Sequence, residues 1–68
     1  MLSVEFDKRI FKMKAVKAAV KDYKGFADFK LVNGDGGIVV EIDNIDYESE
    51  DDFLGEFGNY VIHKMSVI

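Results

Sequence analysis

The sequence predicts a single α+β domain over residues 1–68, a βαββα two-layer sandwich that is ferredoxin-like but lacks a full fourth strand. Two observations lead to this prediction. Apolar residues recur at every second position in three short segments, which is typical of strands with one buried face. In two longer segments they recur at intervals of three and four, which is typical of amphipathic helices.

The chain begins with a strand and a helix. Residues 2–6 alternate between apolar and polar side chains, and the charged residues 7–9 end this strand. Between Met13 and Lys24 the period changes to that of a helix with a basic face. Because Gly25 follows the last apolar position, we expect a left-handed glycine cap there. The apolar stripe of this helix consists of Met13, Val16, Ala19, Val20 and Tyr23.

A hairpin follows. Alternation returns in residues 27–31 and again in residues 38–42, which predicts two strands joined by the glycine-rich loop 33–37. This loop lacks both the lysine of a phosphate-binding loop and the regular oxygen ligands of a calcium loop. We therefore interpret it as a hairpin turn in which glycines supply positive φ angles.

An acidic connection and a second helix complete the chain. The segment Asp43 to Asp52 carries six carboxylates without regular ligand spacing, so we interpret it as a solvated connection rather than a cation site. Ser49, with Asp52 three residues later, resembles a capping box and predicts that the helix begins near Glu50. Its apolar stripe consists of Phe53, Leu54, Phe57, Tyr60, Val61 and Met65.

The element order predicts how the strands pair. A crossover helix makes the first two strands parallel, and the hairpin places the third strand between them, antiparallel to both. Met65 to Ile68 suffices only for the stub of a fourth strand, so the outer edge of the first strand should be unpaired. We therefore predict a homodimer that forms through the first strand, with Met65 to Ile68 covering the seam.

The predicted core combines the inner faces of the strands with the helix stripes. Each member is apolar, or aromatic with an apolar ring, and lies at a position that the period assigns to the interior. The members are Val4, Phe6, Val16, Val20, Phe29, Leu31, Val40, Ile42, Phe57, Tyr60 and Val61.

Charge is distributed unevenly along the chain. Residues 1–30 have a balance of +4 and residues 31–68 a balance of −8, which together give the net charge of −4. We expect the two parts to neutralise one another in the fold or in an oligomer. The chain has no cysteine and no apolar run of the roughly 20 residues needed to span a bilayer, and we expect a cytoplasmic protein without a membrane span.

The lysines of the first helix are the candidate partner-binding residues: Lys14, Lys17, Lys21 and Lys24. A solvated face is the simplest interpretation of this pattern. The functional interpretation is contact with phosphates, a lipid surface or an acidic partner. Nucleic acid is disfavoured by the net negative charge and because no arginine or aromatic residue stands among the lysines to read or stack bases.

No catalytic, cofactor-binding or metal-binding set is indicated. His63 is the only histidine, and it lies off the apolar stripe beside Glu56 and Asn59, without an evident nucleophile. We expect an exposed helix residue rather than a general base. An enzyme is therefore the least supported class, and we predict a protein that is not an enzyme and needs no cofactor.

Several segments resemble a known family. The opening Val4-Glu5-Phe6-Asp7-Lys8-Arg9-Ile10-Phe11, the helix core Ala15-Val16-Lys17-Ala18-Ala19, the Val39-Val40 strand and the sequence Glu56-Phe57-x-Asn59 are similar to HxsD-type proteins of His-Xaa-Ser peptide-modification systems. Such proteins are encoded beside radical-SAM enzymes. The resemblance implies an accessory role in which the chain holds a peptide or a maturation enzyme, and its only transferable positions are Glu56, Phe57 and Asn59.

Two functions of different classes are compatible with the sequence. In the first, the protein is a non-enzymatic accessory or binding module that recruits a peptide or maturation enzyme by its open sheet edge or its basic helix. In the second, it is a homo-oligomeric ferredoxin-like regulatory domain that binds a small ligand between sheets. A radical-SAM gene next door would favour the first, and a metabolic operon would favour the second.

Overall fold

The computed structural model describes residues 2–68. Along the chain it has the order that the sequence predicts, βαββα. The elements are β1 (Leu2–Asp7), α1 (Met13–Tyr23), β2 (Asp28–Asn33), β3 (Gly37–Asp43) and α2 (Glu50–Val67).

The three strands form one antiparallel sheet in the order β1-β3-β2. Val40 of β3 lies opposite Val4 on one side and opposite Leu31 on the other. This confirms the predicted placement of the hairpin strand between two strands that run parallel to each other. Within residues 2–68 no fourth strand is present, so β1 and β2 each have one free edge.

Both helices pack on one face of the sheet. The central strand supplies Ile38, Val40 and Ile42 to that face, and all three are fully buried. Phe57 of α2 lies among the rings of the core, with its centroid 6.2 Å from that of Phe6. The opposite face of the sheet has no helix over it, and its side chains are exposed or half-buried.

The predicted core is confirmed in outline. Seven of its members are buried: Phe6, Val16, Val20, Val40, Ile42, Phe57 and Val61. The other four, Val4, Phe29, Leu31 and Tyr60, are half-buried and pack against the core. Five further buried apolar residues were not in the predicted set, namely Ala15, Ala19, Ala27, Ile38 and Phe53.

Both predictions of positive φ at glycine are wrong. None of the described glycines has a positive φ angle. After α1, Lys24 keeps right-handed helical angles and the Phe26 N–H donates to the Tyr23 carbonyl at 3.0 Å, so a right-handed turn ends the helix without a left-handed cap. The β2–β3 turn closes with the Gly34 N–H donating to the Gly37 carbonyl at 2.9 Å.

The C-terminal segment is helical. Helix α2 begins at Glu50, as predicted, but it continues to Val67 rather than giving way to a strand stub. The N–H of Ile68 still donates to the Lys64 carbonyl at 3.0 Å, which closes the last turn. Met65 to Ile68 therefore does not form the stub of a fourth strand. That this segment covers the seam of a dimer stays a prediction.

Candidate functional site

The four predicted lysines form one surface, which we call the lysine face: Lys14, Lys17, Lys21 and Lys24. Helix α1 turns its small apolar residues, among them Val16 and Val20, into the core. At 100° per residue the lysines fall within an arc of roughly 80° on the opposite side of the helix. All four are exposed, as the sequence predicts.

The lysine face is not neutralised within the fold. None of its four residues forms an ion pair with another residue in the range 2–68. Among residues 2–68, one ion pair links the two helices, between Asp22 and Lys64 at 3.3 Å. Asp22 belongs to residues 1–30, which carry a net positive charge, and Lys64 belongs to residues 31–68, which carry a net negative charge. Because each partner is opposite in sign to the excess charge of its own part of the chain, this pair does not neutralise the excess charge of either part. Neutralisation within the fold, one of the two outcomes that we expected, therefore does not extend to the lysine face.

The positive surface continues around the start of α1. A shallow depression of about 640 Å³ is lined there by Lys8, Arg9, Lys12 and Lys14 together with Phe11 and other residues. The N-cap residue Lys12 makes no side-chain capping hydrogen bond, and the first turn of α1 contains no acidic residue. The positive end of the helix dipole thus adds to the basic side chains nearby.

A groove of opposite charge lies at the start of α2. We call it the acidic groove; it has a volume of about 910 Å³ and is lined by Asp46, Tyr47, Glu48, Asp51, Asp52, Gly55, Glu56 and Asn59. Five of these residues are carboxylates and none is basic. Helix α2 brings its exposed face against residues 46–48 of the connection, which is why the groove could not be predicted from sequence spacing alone. Within residues 2–68 no set of three or more acidic or histidine side chains is arranged to hold a metal ion.

Tyr47 is fixed in the acidic groove by Glu56. The Tyr47 hydroxyl donates a hydrogen bond to the Glu56 carboxylate. This hydrogen bond, with smaller effects from burial and nearby negative charge, raises the pKa of Tyr47 to about 12. Its ring contacts Phe26 edge-on, with centroids 6.3 Å apart, and both rings are partly exposed. Neither aromatic was predicted, because both lie outside the periodic segments.

A second polar contact joins the two helices. The Tyr60 hydroxyl donates to Asp22 Oδ2 at 2.5 Å, and Lys64 contacts the same carboxylate oxygen. The hydrogen bond from Tyr60, followed by that from Lys64, lowers the pKa of Asp22, and the contact with Asp22 raises the pKa of Lys64. Lys64 also lies 5.4 Å from the centroid of the Tyr60 ring. We interpret this cluster as a clamp between the helices.

The remaining predicted positions are distributed over the molecule. His63 is exposed beside Tyr60, as expected, with ring centroids 5.9 Å apart. Of the three positions in the resemblance to HxsD-type proteins, Phe57 is fully buried. Glu56 holds Tyr47, and Asn59 lies exposed at the acidic groove. No nucleophile with a base beside it appears among these residues.

Comparisons with known proteins leave the chain without an assigned family. No family model, no curated protein sequence and no solved structure matches it. Among residues 2–68, neither helix is both long enough and apolar enough to cross a membrane. The function is therefore inferred from the two charged surfaces and the free sheet edges.

Proposed function

We propose that this chain is a non-enzymatic binding module whose lysine face recruits an acidic peptide or protein segment. The observation that supports the proposal most directly is that four exposed ammonium groups share one side of α1 and have no ion-pair partner in the described chain. Carboxylates of a second molecule would meet them without displacing an internal contact.

The main physical effect of this surface is electrostatic steering of an approaching acidic partner. A single exposed ion pair contributes about 0–1 kcal/mol, but several charges of one sign act together on an approaching partner within a Debye length of about 8 Å at physiological salt. The acidic groove, on a different part of the domain, disfavours a long polyanion such as RNA more than a short acidic segment. Lysines act as point charges and do not by themselves select a base sequence.

The resemblance to HxsD-type proteins would specify the partner further. In that case the acidic segment belongs to the peptide under modification or to its maturation enzyme. A gene for a radical-SAM enzyme beside this one would support it.

The proposal can be tested with a labelled oligoglutamate peptide and fluorescence anisotropy. Changing Lys14, Lys17, Lys21 and Lys24 together to glutamine should weaken binding by about tenfold or more, the sum of four contacts of a few tenths of a kcal/mol. A matched variant with the same four lysines changed to arginine keeps the charges and should retain binding. Equal binding by the two variants would contradict the proposal, as would stronger binding to an RNA oligonucleotide or to anionic vesicles.

The second candidate is the homo-oligomeric domain that binds a small ligand between sheets. It is favoured by one observation, the uncovered face of the sheet, where Glu5, Lys30 and Val32 are exposed. Two such faces stacked together could enclose a ligand. A rise in melting temperature with free amino acids or nucleotides, together with a dimer that needs the ligand, would support this function over the first.

A further inference from the structure

The hydrogen bonds of the sheet show which backbone groups of β1 are free. The Lys8 N–H donates to the Gly36 carbonyl at 3.2 Å, one step beyond the register that pairs Asp7 with Gly37. In an antiparallel ladder the hydrogen-bonded pairs alternate. Val4 and Phe6 therefore bond to β3, whereas the N–H and C=O groups of Ser3 and Glu5 point out from the free edge. The Asp7 carbonyl is not free, because it accepts from the N–H groups of Ile10 and Phe11.

The free edge of β2 is less suited to pairing. Its charged residues Asp28 and Lys30 lie within the strand, and a lysine is a common block to edge pairing. The connection after β3 also packs against the start of β2. The Asp46 N–H donates to the Phe26 carbonyl at 2.7 Å, and the Asn44 side chain donates to Asp28 at 2.7 Å. The segment Leu2–Phe6 of β1 carries a single charge, on Glu5.

We propose that two copies of this chain pair their β1 edges antiparallel around a twofold axis that passes beside Val4. The outward-facing groups then meet in matched pairs, with Ser3 of one copy opposite Glu5 of the other. The Ser3 hydroxyl can donate to that carboxylate. A register centred on Glu5 would instead place two carboxylates opposite each other at about 5.5 Å, which is destabilising.

This register also matches the apolar face of the strand. Val4 lies opposite Val4 of the second copy, and Leu2 lies opposite Phe6. Leu2 and Val4 are only half-buried in the single chain, so the pairing covers apolar surface that the small core leaves open. The two sheets join into one continuous sheet of six strands, and a twofold axis of this kind keeps all the helices on one side.

The absence of cysteine allows a direct test of the register. A Val4→Cys variant should form a disulfide-linked dimer under mild oxidation, because the two Cα atoms would be about 4.5 Å apart, within the range of about 4.4–6.8 Å that disulfides span. The matched variants Leu2→Cys and Glu5→Cys should stay monomeric on a non-reducing gel, with Cα atoms roughly 13 Å and roughly 8 Å apart. Cross-linking of Glu5→Cys in place of Val4→Cys, or of all three variants alike, would overturn the proposal.

Sedimentation gives a second test that does not depend on cysteine. The unmodified chain should be a dimer at tens of micromolar, and Glu5→Pro should convert it to a folded monomer because it removes an outward N–H. Asn33→Pro, which removes the corresponding N–H at the edge of β2, should remain a dimer. Proline at Val4 is unsuitable, since that N–H bonds to β3. A folded monomer for the unmodified chain, or a dimer for Glu5→Pro, would overturn the proposal.

The proposal is independent of the lysine face. The variant with Lys14, Lys17, Lys21 and Lys24 changed to glutamine should dimerise as the unmodified chain does. Loss of peptide binding without loss of the dimer would therefore separate the two inferences. If this variant became monomeric, an interface through α1 would replace the one through β1, and the proposal would be wrong.

Discussion

The buried side chains of helix α1 are all small, and its larger residues Met13 and Tyr23 are only half-buried against the core, whereas α2 buries large side chains. The buried residues of α1 are Ala15, Val16, Ala19 and Val20, and those of α2 are Phe53, Phe57 and Val61. Their starts differ as well. Helix α2 has a side-chain cap and acids in its first turn, and α1 has neither. We infer that the packing of α2 contributes most of the stability of the core. Helix α1 buries only small side chains, and its exposed side carries the lysines.

The largest effect should come from Phe57, which is fully buried and lies 5.2 Å from Phe29 and 5.6 Å from Tyr23 between ring centroids. Phe57→Ala should lower the free energy of unfolding by about 3–5 kcal/mol, because it leaves a cavity among the rings. In so small a domain this is most of the stability. Chemical denaturation would measure it, with Ile62→Ala on the exposed face of the same helix as a control that changes little. A melting temperature for Phe57→Ala within a few degrees of the unmodified chain would show that α2 does not carry the core.

The sequence predicted this part of the fold well because the signal is local. The aromatic stripe of α2, its start at Glu50 and the position of β3 all follow from side-chain period and turn residues. Alanines give a weaker signal: Ala15, Ala19 and Ala27 are buried, but a small side chain is compatible with either face. Phe53 lies on the predicted stripe of α2 and Ile38 shares the period of Val40 and Ile42, so the period already placed both inside although the predicted core set omitted them.

The two candidate surfaces also differ in whether the local sequence could predict them. The lysine face was predictable because it lies on one helix and its C-cap residue, Lys24. The acidic groove was not, because it forms only where Tyr47 and its neighbours meet Glu56 of α2. Backbone detail was also beyond the sequence: the glycines at 25, 34, 36 and 37 suggested positive φ, yet none of them has it. The end of α2 was missed because Met65–Ile68 fits the period of a strand as well as that of a helix.

A second substitution tests whether the small buried side chains of α1 are tightly packed. Ala19 is fully buried, so Ala19→Leu should overpack the interface between α1 and the rest of the core and cost about 1–3 kcal/mol of stability. Lys17→Leu places a leucine on the exposed side of the same helix, where it meets no core residue, and should change stability by less than about 0.5 kcal/mol. Thermal unfolding of both variants gives the comparison. Equal stability would mean that α1 packs loosely enough to accept a larger residue.

The capped start of α2 should be sensitive to loss of its cap. The Asp52 N–H donates to Ser49 Oγ at 3.3 Å, so Ser49→Ala should cost about 1 kcal/mol. Ser49→Asp keeps an acceptor at the same position and should retain most of that stability. Urea denaturation would measure the difference. A neutral Ser49→Ala would indicate that the first-turn acids alone hold this end of the helix.

The uncapped start of α1 predicts the opposite response. Lys12 has extended backbone angles, φ −84° and ψ 136°, that suit an N-cap residue, but its side chain makes no capping bond. Lys12→Asp should therefore stabilise the protein by about 0.5–1 kcal/mol, through a new acceptor and a favourable charge at the positive end of the helix. Lys12→Ala, which removes the lysine without adding an acceptor, separates this gain from the relief of repulsion among the nearby basic residues. An equal gain in both variants would assign the effect to charge alone.

The smallest effect concerns Tyr47 at the acidic groove and depends on pH. Its pKa is raised to about 12 by the hydrogen bond to Glu56, above the ordinary value of 10.0, so the fold favours the neutral phenol. The resulting stabilisation is complete below about pH 10 and disappears as the pH rises through about 12.

The difference in melting temperature between the unmodified chain and Tyr47→Phe should therefore shrink over that range. Glu56→Gln keeps a hydrogen-bond acceptor but removes the negative charge, and should return the pKa of Tyr47 toward its ordinary value. An ultraviolet titration of tyrosinate would show both changes. If Tyr47→Phe left the most basic part of that titration intact and Tyr60→Phe removed it, then Tyr60, whose pKa is raised by its hydrogen bond to Asp22, would be the last tyrosine to ionise, rather than Tyr23, whose pKa is raised by burial. In that event the clamp between the helices, rather than the start of α2, would be the stronger of the two tyrosine–carboxylate contacts.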